Sequence, residues 1–397
     1  MNKKIGNIKF LVGNYNFKIK TKKPYEEIVC KFVANLSKEL IKHKESSNYP
    51  DIKTLGFWCR KQNINNLKKK FGDGPIRFGL GLVFHITPSN VPTNFAYSLL
   101  FGLLTGNSNI IKVPSKKFYQ VDIICSVINK ILKQKLFFSL KGMITILRYN
   151  NDDNFTKKIS SICDARLIWG GNKSIESIRK FNLKERAIDI AFSDRFSLSV
   201  INSDKILKLK SYEFDRLIER FYNDTYLVDQ NACSSPHLII WLNNKKKIAS
   251  NIFWKKLSNF LEYKYELPHI ASIDKKTKLF EDILNLKNIK NYRTFKNLIY
   301  LISLKNLDNN TCKLRGKWGY FYEFNADNLN SISKFIDKSC QTLTYFGMDK
   351  DYFKKFLLNK NIRGVDRIVP IGQALDINFN WDGYDINKIL TRVIDLK

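Results

Sequence analysis

The 397-residue sequence contains no apolar run long enough to cross a bilayer. The longest such run, Phe95 to Leu104, falls well short of the roughly 20 residues that a spanning helix needs. The basic N-terminus also has no apolar core of the kind that secretory signals carry. We therefore expect neither stable membrane insertion nor secretion.

Metal-binding and disulfide patterns are missing as well. The seven cysteines stand too far apart for a CxxC pair, and the four histidines form no HExxH motif. We expect no metal site and no disulfide framework. The economical interpretation is a cytoplasmic protein with reduced thiols, most of which are small core residues.

Acidic residues are scarce relative to basic ones. Lys and Arg total 68 against 36 Asp and Glu, which gives a formal net charge of +32. The lysines are spread in short runs, and no zinc-finger, RRM or helix-turn-helix signature accompanies them. We interpret them as solvated surface and expect no nucleic-acid partner. A basic surface should still speed encounters with anionic ligands such as nucleotides, coenzyme A or an acidic carrier protein.

What the sequence does contain is an alternation of short apolar strands and helix-like segments, typical of βαβ units and a mostly parallel sheet. The fold class predicted is therefore α/β. Strands are expected at 79–84, 109–113, 143–147, 165–169 and 187–192. A second strand-rich region begins near Phe196. We predict a nucleotide-binding domain over 1–195 and a thiol-bearing domain over 196–364, with 365–397 returning to the first domain or to an oligomerisation strand.

A proline-bracketed loop follows the first of these strands. Pro88 and Pro92 flank Ser89 and Asn90, and proline fixes φ, so the loop should present the Asn90 amide rigidly. At the carboxyl end of a parallel strand, such an amide is a candidate oxyanion donor. A turn with an Asx cap is the alternative.

Two further strand ends carry nucleotide-binding features. Lys112 ends one strand and is followed by Ser115 and Lys116, where a ribose or phosphate would lie in an α/β sheet. Gly170 and Gly171 lead from another strand into a helix whose N-terminus could accept a pyrophosphate. Neither pattern is diagnostic alone, since a charged strand end or an ordinary Gly-Gly turn would look the same.

Cys233 is the cysteine with unusual neighbours. It lies in a polar loop of small residues ahead of an apolar strand, with Ala232, Ser234 and Ser235 beside it. Small neighbours let a substrate approach and leave backbone N–H groups near the sulfur, which are conditions for a nucleophilic thiolate. Cys233 is thus either a covalent acyl acceptor or a loop thiol without a role.

Over about residues 57–383 the sequence resembles the LuxC family. That family comprises the long-chain acyl-CoA reductases of bacterial bioluminescence and their relatives, within the aldehyde dehydrogenase superfamily. The segments that carry the resemblance are HITPSNVPTNFAYSLLFGLLTGNSNIIKVPSK, RLIWGGNKSIESIRKF, RAIDIAFSDRFS, FYNDTYLVDQNACSSPHLIIW, CQTLTYFG and RIVPIGQALDINFNWDG.

The resemblance implies an aldehyde-dehydrogenase-like fold, with a Rossmann-type cofactor domain and a second α/β catalytic domain. It also implies roles for individual residues. Cys233 matches the acyl-accepting thiol, and Asn90 matches the oxyanion donor. Lys112 matches the lysine at the adenosine ribose, while Gly170 and Gly171 fall where the superfamily places its pyrophosphate-binding helix.

Two departures from the superfamily pattern bear on the reaction. NAD-preferring members carry an acid shortly after the lysine, but 113–117 here contains no carboxylate and two lysines, which favours NADPH. Aldehyde-oxidising members carry a water-activating Glu, whereas 191–197 reads AFSDRFS. Asp194 is close to that position, and its role stays open.

The predicted reaction is therefore reduction of a long-chain acyl thioester by NADPH to a fatty aldehyde through a Cys233 thioester. The acyl donor would be acyl-CoA or an acyl-protein synthetase carrying the acyl group, and superfamily analogy favours a homo-oligomer. An oxidative NADP-dependent aldehyde dehydrogenase and a non-reductive acyl carrier or acyltransferase are the competing hypotheses.

Overall fold

The computed structural model describes residues 4–5, 7–15, 19–72, 74–150 and 153–397. The chain divides into two compact units. Unit 1 comprises Met1–Ser193 together with Phe379–Lys397, and unit 2 comprises Asp194–Asn378.

The first part of unit 1 alternates strands and helices. Its strands are β1 (Lys4–Ile5), β2 (Ile8–Val12), β3 (Arg77–Gly79), β4 (Leu82–Ile86), β5 (Ser108–Val113), β6 (Ile144–Arg148), β7 (Ala165–Trp169) and β8 (Ile188–Phe192). Its helices are α1 (Glu27–Lys42), α2 (Pro50–Trp58), α3 (Lys61–Phe71), α4 (Asn94–Leu104), α5 (Tyr119–Leu132), α6 (Asp153–Ile162) and α7 (Asn172–Arg179).

The main sheet of unit 1 has the order β1-β2-β6-β5-β4-β7-β8. From β6 to β8 neighbouring strands are parallel, while β1 and β2 pair antiparallel at one edge. The chain enters the parallel part at β4, moves outward to β5 and β6, and then returns to β7 on the other side. This reversal creates a topological switch point between β4 and β7, where doubly wound folds bind ligands.

Burial explains why these segments adopt this structure. Strands β4 to β7 are buried almost throughout, as expected of parallel strands covered on both faces. Helix α4 is buried over its whole length. The strand predicted at 79–84 is broken in the structure, because Gly81 adopts φ +145 between β3 and β4.

Unit 2 has its own sheet. Its strands are β9 (Phe196–Asn202), β10 (Leu238–Leu242), β11 (Ile289–Phe295), β12 (Ile299–Leu304), β13 (Tyr320–Asn325), β14 (Cys340–Phe346) and β15 (Arg367–Pro370). Its helices are α8 (Ser203–Ile206), α9 (Ser211–Thr225), α10 (Lys246–Lys264), α11 (His269–Asn285) and α12 (Lys350–Lys360). The strand order is β11-β12-β13-β10-β9-β14-β15, and all neighbouring pairs are parallel except β11 with β12.

The C-terminal segment completes unit 1 with β16 (Asn380–Trp381), β17 (Tyr384–Asp385), α13 (Ile386–Ile389) and β18 (Thr391–Val393). Strand β18 pairs with β3, and the Asn387 amide oxygen accepts a hydrogen bond from the Tyr25 hydroxyl at 3.0 Å. The sequence predicted that the whole of 365–397 returns to the first domain or to an oligomerisation strand. In the structure, 365–378 belong to unit 2, and the return to unit 1 begins at Phe379. The reason is that β15 pairs with β14, and the Arg367 guanidinium donates to the carbonyls of the turn that follows.

Candidate active site

The residues predicted to bind the nucleotide lie, together with the predicted oxyanion donor Asn90, along one edge of the sheet in unit 1. Strand β4 leads into the loop with Asn90, β5 leads through Lys112 to Ser115 and Lys116, and β7 leads to Gly170. These three strands are parallel neighbours in the order β5-β4-β7. Their carboxyl ends therefore share one edge, and the β4–β7 switch point lies within it.

Lys112 lies over an aromatic ring at this edge. Its Nζ is 4.7 Å from the centroid of the Tyr149 ring. Burial lowers the pKa of the Lys112 ammonium below its usual range, and the Asp153 carboxylate acts in the opposite direction. The Ser115 hydroxyl donates to the Tyr149 carbonyl at 3.2 Å, so the same residue fixes the loop after β5. Sequence reasoning missed Tyr149, which follows a strand and carries no motif.

Lys116 and Asn90 are exposed at this edge. The Lys116 Nζ lies 5.2 Å from the centroid of the Phe118 ring. The loop leading to Asn90 is anchored at its start, because the Thr87 N–H and hydroxyl both donate to the Lys112 carbonyl, at 3.1 and 2.9 Å. The start of the Asn90 loop is thus fixed to the end of the neighbouring strand β5.

The Gly170–Gly171 turn leaves open space in front of α7. A Cβ placed on Gly171 would meet no atom within 4 Å, while Gly171 directly precedes the first helical residue. The first N–H groups of a helix lack partners within it, and their dipoles favour an anion. Beside this turn, the rings of Trp169 and Phe192 stack with centroids 3.8 Å apart. The edge therefore offers cations, helix N–H groups and space, which fit a pyrophosphate-bearing dinucleotide.

Cys233 lies in unit 2, in the loop before β10. It is half-buried, whereas Cys59, Cys125, Cys163, Cys312 and Cys340 are buried. The Cys233 thiol donates to Asp194 Oδ1 with the sulfur 3.7 Å from the oxygen. The Ser197 hydroxyl donates to the Cys233 carbonyl at 2.6 Å. Asp194, whose role the sequence left open, thus accepts a hydrogen bond from the predicted nucleophile.

Gln230 holds the Cys233 loop against Gly319 and the first residue of β13, Tyr320. Its Oε1 accepts hydrogen bonds from the N–H groups of Gly319 and Tyr320 at 2.8 and 3.1 Å. Its Nε2 donates to the carbonyls of Tyr320 and Pro236. Gln230 has φ 55, a left-handed conformation uncommon for residues other than glycine. Strain of this kind persists only where surrounding contacts enforce it.

His237 secures the other end of the same loop. It is almost fully buried, and its Nδ1 accepts a hydrogen bond from the Gly316 N–H at 3.2 Å. Burial, reinforced by the Arg315 charge, lowers the pKa of His237 to about 3. The imidazole is therefore neutral at physiological pH, as its acceptor role requires. Sequence reasoning missed both Gln230 and His237, because their partners lie far along the chain.

Within the part of the chain that the structure describes, no group of three or more His, Cys, Asp or Glu side chains could hold a metal ion. No helix among the same residues is long and apolar enough to cross a membrane.

Comparison with known proteins places the chain in a family. The family model for acyl-CoA reductase (LuxC) matches residues 65–393. The long-chain acyl-protein thioester reductase of Aliivibrio fischeri is 21% identical over 182 residues, which cover 45% of this chain and 36% of that protein. Long-chain acyl-protein thioester reductase 2 of Photobacterium leiognathi is 23% identical over 47% of this chain and 37% of its own length. The matched segments thus span little more than a third of these curated relatives.

Aldehyde dehydrogenases are among the solved structures similar to this chain. Aldehyde dehydrogenase 21 from Physcomitrella patens superposes with a TM-score of 0.64 at 11% sequence identity, over 93% of this chain and 84% of that one. At this identity the likeness concerns the fold, and it confirms the predicted α/β aldehyde-dehydrogenase architecture. Since the family model covers most of its length, the chain belongs to the LuxC family of acyl-CoA reductases.

Proposed function

We propose that this protein reduces a long-chain acyl thioester to a fatty aldehyde, with Cys233 as the covalent acyl acceptor. The observation that carries the proposal is the setting of Cys233: a half-buried thiol beside a carboxylate, in a loop held at both ends. Family membership and the relatives described as acyl-protein thioester reductases support the same reaction class.

In the acylation step, the Cys233 sulfur attacks the acyl carbonyl carbon. A new C–S bond forms, the C–S bond of the donor breaks, and the donor leaves as its thiol after taking up a proton. Asp194 Oδ1 is placed to accept the proton of the Cys233 thiol. Asn90 is the proposed donor to the oxyanion that develops on the carbonyl oxygen.

The proposed cofactor is NADPH, which when bound supplies the hydride for the acyl carbon. Gly170 and Gly171 with the α7 N-terminus would hold the pyrophosphate. Lys112 would contact the ribose, and Ser115 and Lys116 would lie near the 2′ position. The absence of a carboxylate from 113–117 supports acceptance of a 2′-phosphate.

The acyl-enzyme must outlive attack by water for reduction to occur. The 191–197 segment lacks the Glu that oxidising members use, so water activation at that position depends on Asp194 alone within the segment. Breaking the C–S bond after reduction releases the aldehyde and returns the Cys233 sulfur. The acyl donor is proposed to be acyl-CoA or an acyl-protein, as the relatives' descriptions suggest.

Mass spectrometry of the acyl-enzyme tests this proposal. Protein mixed with palmitoyl-CoA and no NADPH should gain one palmitoyl group on the peptide containing Cys233, and later addition of NADPH should remove it as aldehyde. Cys233→Ser should gain none. Cys30→Ser is the matched control, because Cys30 is the other half-buried cysteine, and it should be acylated like the wild type. An unmodified Cys233 peptide with acyl-CoA and acyl-protein donors alike would refute the covalent route.

The nearness of Asp194 to the sulfur favours a second candidate function, oxidation of an aldehyde to a free acid. A carboxylate 3.7 Å from the thiol could activate water against a thioester. Product analysis after incubation with a long-chain aldehyde, NADP and no thiol acceptor separates the two: rapid formation of free fatty acid would favour this candidate.

A further inference from the structure

A buried chain of hydrogen bonds runs through the parallel core of unit 1 and ends beside the Gly170–Gly171 turn. Its members are His85 in β4, Ser98 in α4, Asn109 in β5 and Trp169, the last residue of β7. All four side chains are buried. Polar groups among apolar strands are costly unless each one has a partner. The reaction proposed above makes no use of them.

The direction of each hydrogen bond follows from the chemistry of the groups. The Asn109 Nδ2 donates to the Asn107 carbonyl at 2.7 Å, so the amide oxygen is the atom that faces His85 Nε2, at 3.0 Å. Burial lowers the pKa of His85 to about 4, so the imidazole is neutral at physiological pH. Its single ring proton must lie on Nε2, because the Asn109 oxygen can only accept. Nδ1 is therefore an acceptor.

Ser98 links the imidazole to an indole. The Ser98 hydroxyl lies 2.7 Å from His85 Nδ1 and donates to it, because that nitrogen carries no proton. The Ser98 oxygen in turn accepts from the indole N–H of Trp169 at 2.9 Å, since an indole nitrogen can only donate. The chain thus runs in one direction, from Trp169 to the Asn109 amide. A fully satisfied buried network of this kind is rigid.

Helix α4 comes close to the chain at a glycine. Gly102 lies one turn after Ser98, and a Cβ there would collide with the Asn109 amide oxygen. The same Cβ would lie 3.2 Å from His85 Nε2. Any larger side chain at residue 102 would therefore push the helix away from the His85–Asn109 pair, and the Ser98 hydroxyl with it.

Trp169 connects the chain to the turn. Its ring stacks on that of Phe192, and the Phe192 carbonyl accepts a hydrogen bond from the Gly170 N–H at 3.2 Å. The indole is therefore held at its N–H by Ser98 and at its face by Phe192. Gly170 and Gly171 have no side chains of their own and populate more backbone conformations than other residues. The conformation of the turn thus depends on its neighbours, and Trp169 is the one that precedes it.

We propose that Ser98 and His85 are positioning residues for the dinucleotide. They fix the indole of Trp169, and through it the Gly170–Gly171 turn, in the conformation that receives the pyrophosphate. A turn that is already ordered binds more tightly, because less conformational entropy is lost on binding. This inference rests on the proposed function, to which the cofactor belongs, and deepens it by naming buried residues that act through Trp169.

Nucleotide affinity tests this role without requiring turnover. NADPH is titrated by calorimetry into the wild type and into its Ser98→Ala and Ser37→Ala variants. Ser37 is the matched control, because it is also buried on a helix of unit 1 and its hydroxyl donates to the Gly56 carbonyl at 2.7 Å. We expect the Kd to rise about tenfold in Ser98→Ala, which corresponds to the loss of roughly one hydrogen bond. The Kd should keep its wild-type value in Ser37→Ala.

A double-mutant cycle tests whether Ser98 acts through Trp169. Trp169→Phe removes the indole N–H and keeps a ring that can stack on Phe192, so it breaks the same hydrogen bond as Ser98→Ala. Trp169→Phe alone should raise the Kd for NADPH, which tests the role even if Ser98→Ala does not fold. Combining the two substitutions should raise the Kd no further than the more severe single one. Effects that multiply would mean that the two residues act separately, and would overturn the proposal.

The indole proton supplies a readout that does not involve the cofactor. In ¹H–¹⁵N spectra of tryptophan-labelled protein, the signal that Trp169→Phe abolishes belongs to Trp169. Its exchange with solvent should be slow in the wild type and in Ser37→Ala, and at least tenfold faster in Ser98→Ala. The indoles of Trp241 and Trp254, which donate to Glu323, are internal references whose exchange should not change.

The outcomes separate this role from the proposed function. An unchanged Kd in Ser98→Ala, or an equal rise in Ser37→Ala, would overturn the positioning role and leave the proposed reaction intact. Failure of the wild type to bind either NADPH or NADH would refute the proposed cofactor, and this role with it.

Discussion

The Cys233 thiol donates a hydrogen bond to Asp194 Oδ1, with the sulfur and oxygen 3.7 Å apart. This relationship gives Asp194 two possible chemical roles. It can accept the thiol proton before acylation, or it can activate water against the acyl-enzyme. The two roles predict opposite effects on the lifetime of the thioester.

Asp194→Asn should slow acylation if Asp194 accepts the thiol proton. The expected loss is about 10²-fold, the lower end of what a positioned base contributes, because an amide cannot take up the proton. Single-turnover acylation by palmitoyl-CoA, followed by mass spectrometry, measures it. If acylation kept its rate and the thioester instead hydrolysed more slowly than in the wild type, Asp194 would be a water-activating base.

Gln230→Met should weaken the hold on the Cys233 loop while preserving side-chain volume. Four hydrogen bonds of the Gln230 side chain link this loop to Gly319 and Tyr320 and, within the loop, to Pro236. Leaving the Gly319 and Tyr320 N–H groups without an acceptor should cost about 1–3 kcal/mol in the free energy of unfolding.

If Gln230 positions the nucleophile, Gln230→Met should also lower the rate of Cys233 alkylation by iodoacetamide and lower kcat, while KM for NADPH keeps its wild-type value. A lowered free energy of unfolding with unchanged alkylation and kcat would make Gln230 a structural residue only.

The buried His237 should make the free energy of unfolding depend on pH. The pKa of His237 is lowered from 6.5 to about 3 by burial and by the Arg315 and Lys317 charges. Between these two pH values the unfolded chain binds a proton that the folded chain does not. The contribution of His237 to the free energy of unfolding is therefore complete above about pH 6.5. It falls as pH decreases toward 3, by at most about 1.4 kcal/mol per pH unit.

His237→Gln removes this titration and keeps an oxygen that can accept from the Gly316 N–H. Urea unfolding at several pH values should show the free-energy difference between wild type and variant shrinking as pH falls through this window. Taking the difference in unfolding free energy between the two proteins cancels the contributions of other groups that titrate in this pH range. Parallel curves for the two proteins would contradict a neutral, buried His237.

The parallel core was predictable because its strands are continuous apolar runs. The prediction at 165–169 coincides with β7, and that at 109–113 lies within β5. Strand β13 was not predicted, since Glu323 in its middle reads as a solvent-facing residue. In the structure the Glu323 carboxylate is buried and accepts hydrogen bonds from the indoles of Trp241 and Trp254, about 70 to 80 positions away. Such partners are set by tertiary contacts that one sequence does not reveal.

The candidate site shows the same contrast between local sequence pattern and tertiary contacts. Cys233 was recognisable from its small, polar neighbours, and the glycines from their place between a strand and a helix. The Asp194 contact joins residues 39 positions apart, and the Gln230 contact to Gly319 spans 89. Both depend on how β9, β10 and β13 lie side by side in the sheet. Local pattern thus predicts a candidate nucleophile, and the fold determines which residues contact it and its loop.

Asn90→Ala should lower the rate of the chemical steps by about 10² to 10³, the value of one oxyanion donor. The expected signature is a reduced kcat with KM for palmitoyl-CoA near the wild-type value, because the oxyanion develops only in the transition state. Ser89→Ala is the matched control, since Ser89 is its exposed neighbour in the same loop. A kcat within twofold of the wild type for Asn90→Ala would remove Asn90 from the oxyanion site.

Lys116→Glu should shift cofactor preference from NADPH toward NADH. It places a carboxylate in the 113–117 segment, where NAD-preferring superfamily members carry one, and a carboxylate repels a 2′-phosphate while accepting hydrogen bonds from ribose hydroxyls. We expect KM for NADPH to rise at least tenfold, about 1.4 kcal/mol, and KM for NADH to fall. Lys133→Glu makes the same charge change at an exposed lysine outside the 113–117 segment and controls for the general loss of positive charge. Equal shifts in both variants would mean that the basic surface, and not the side chain of Lys116, selects the cofactor.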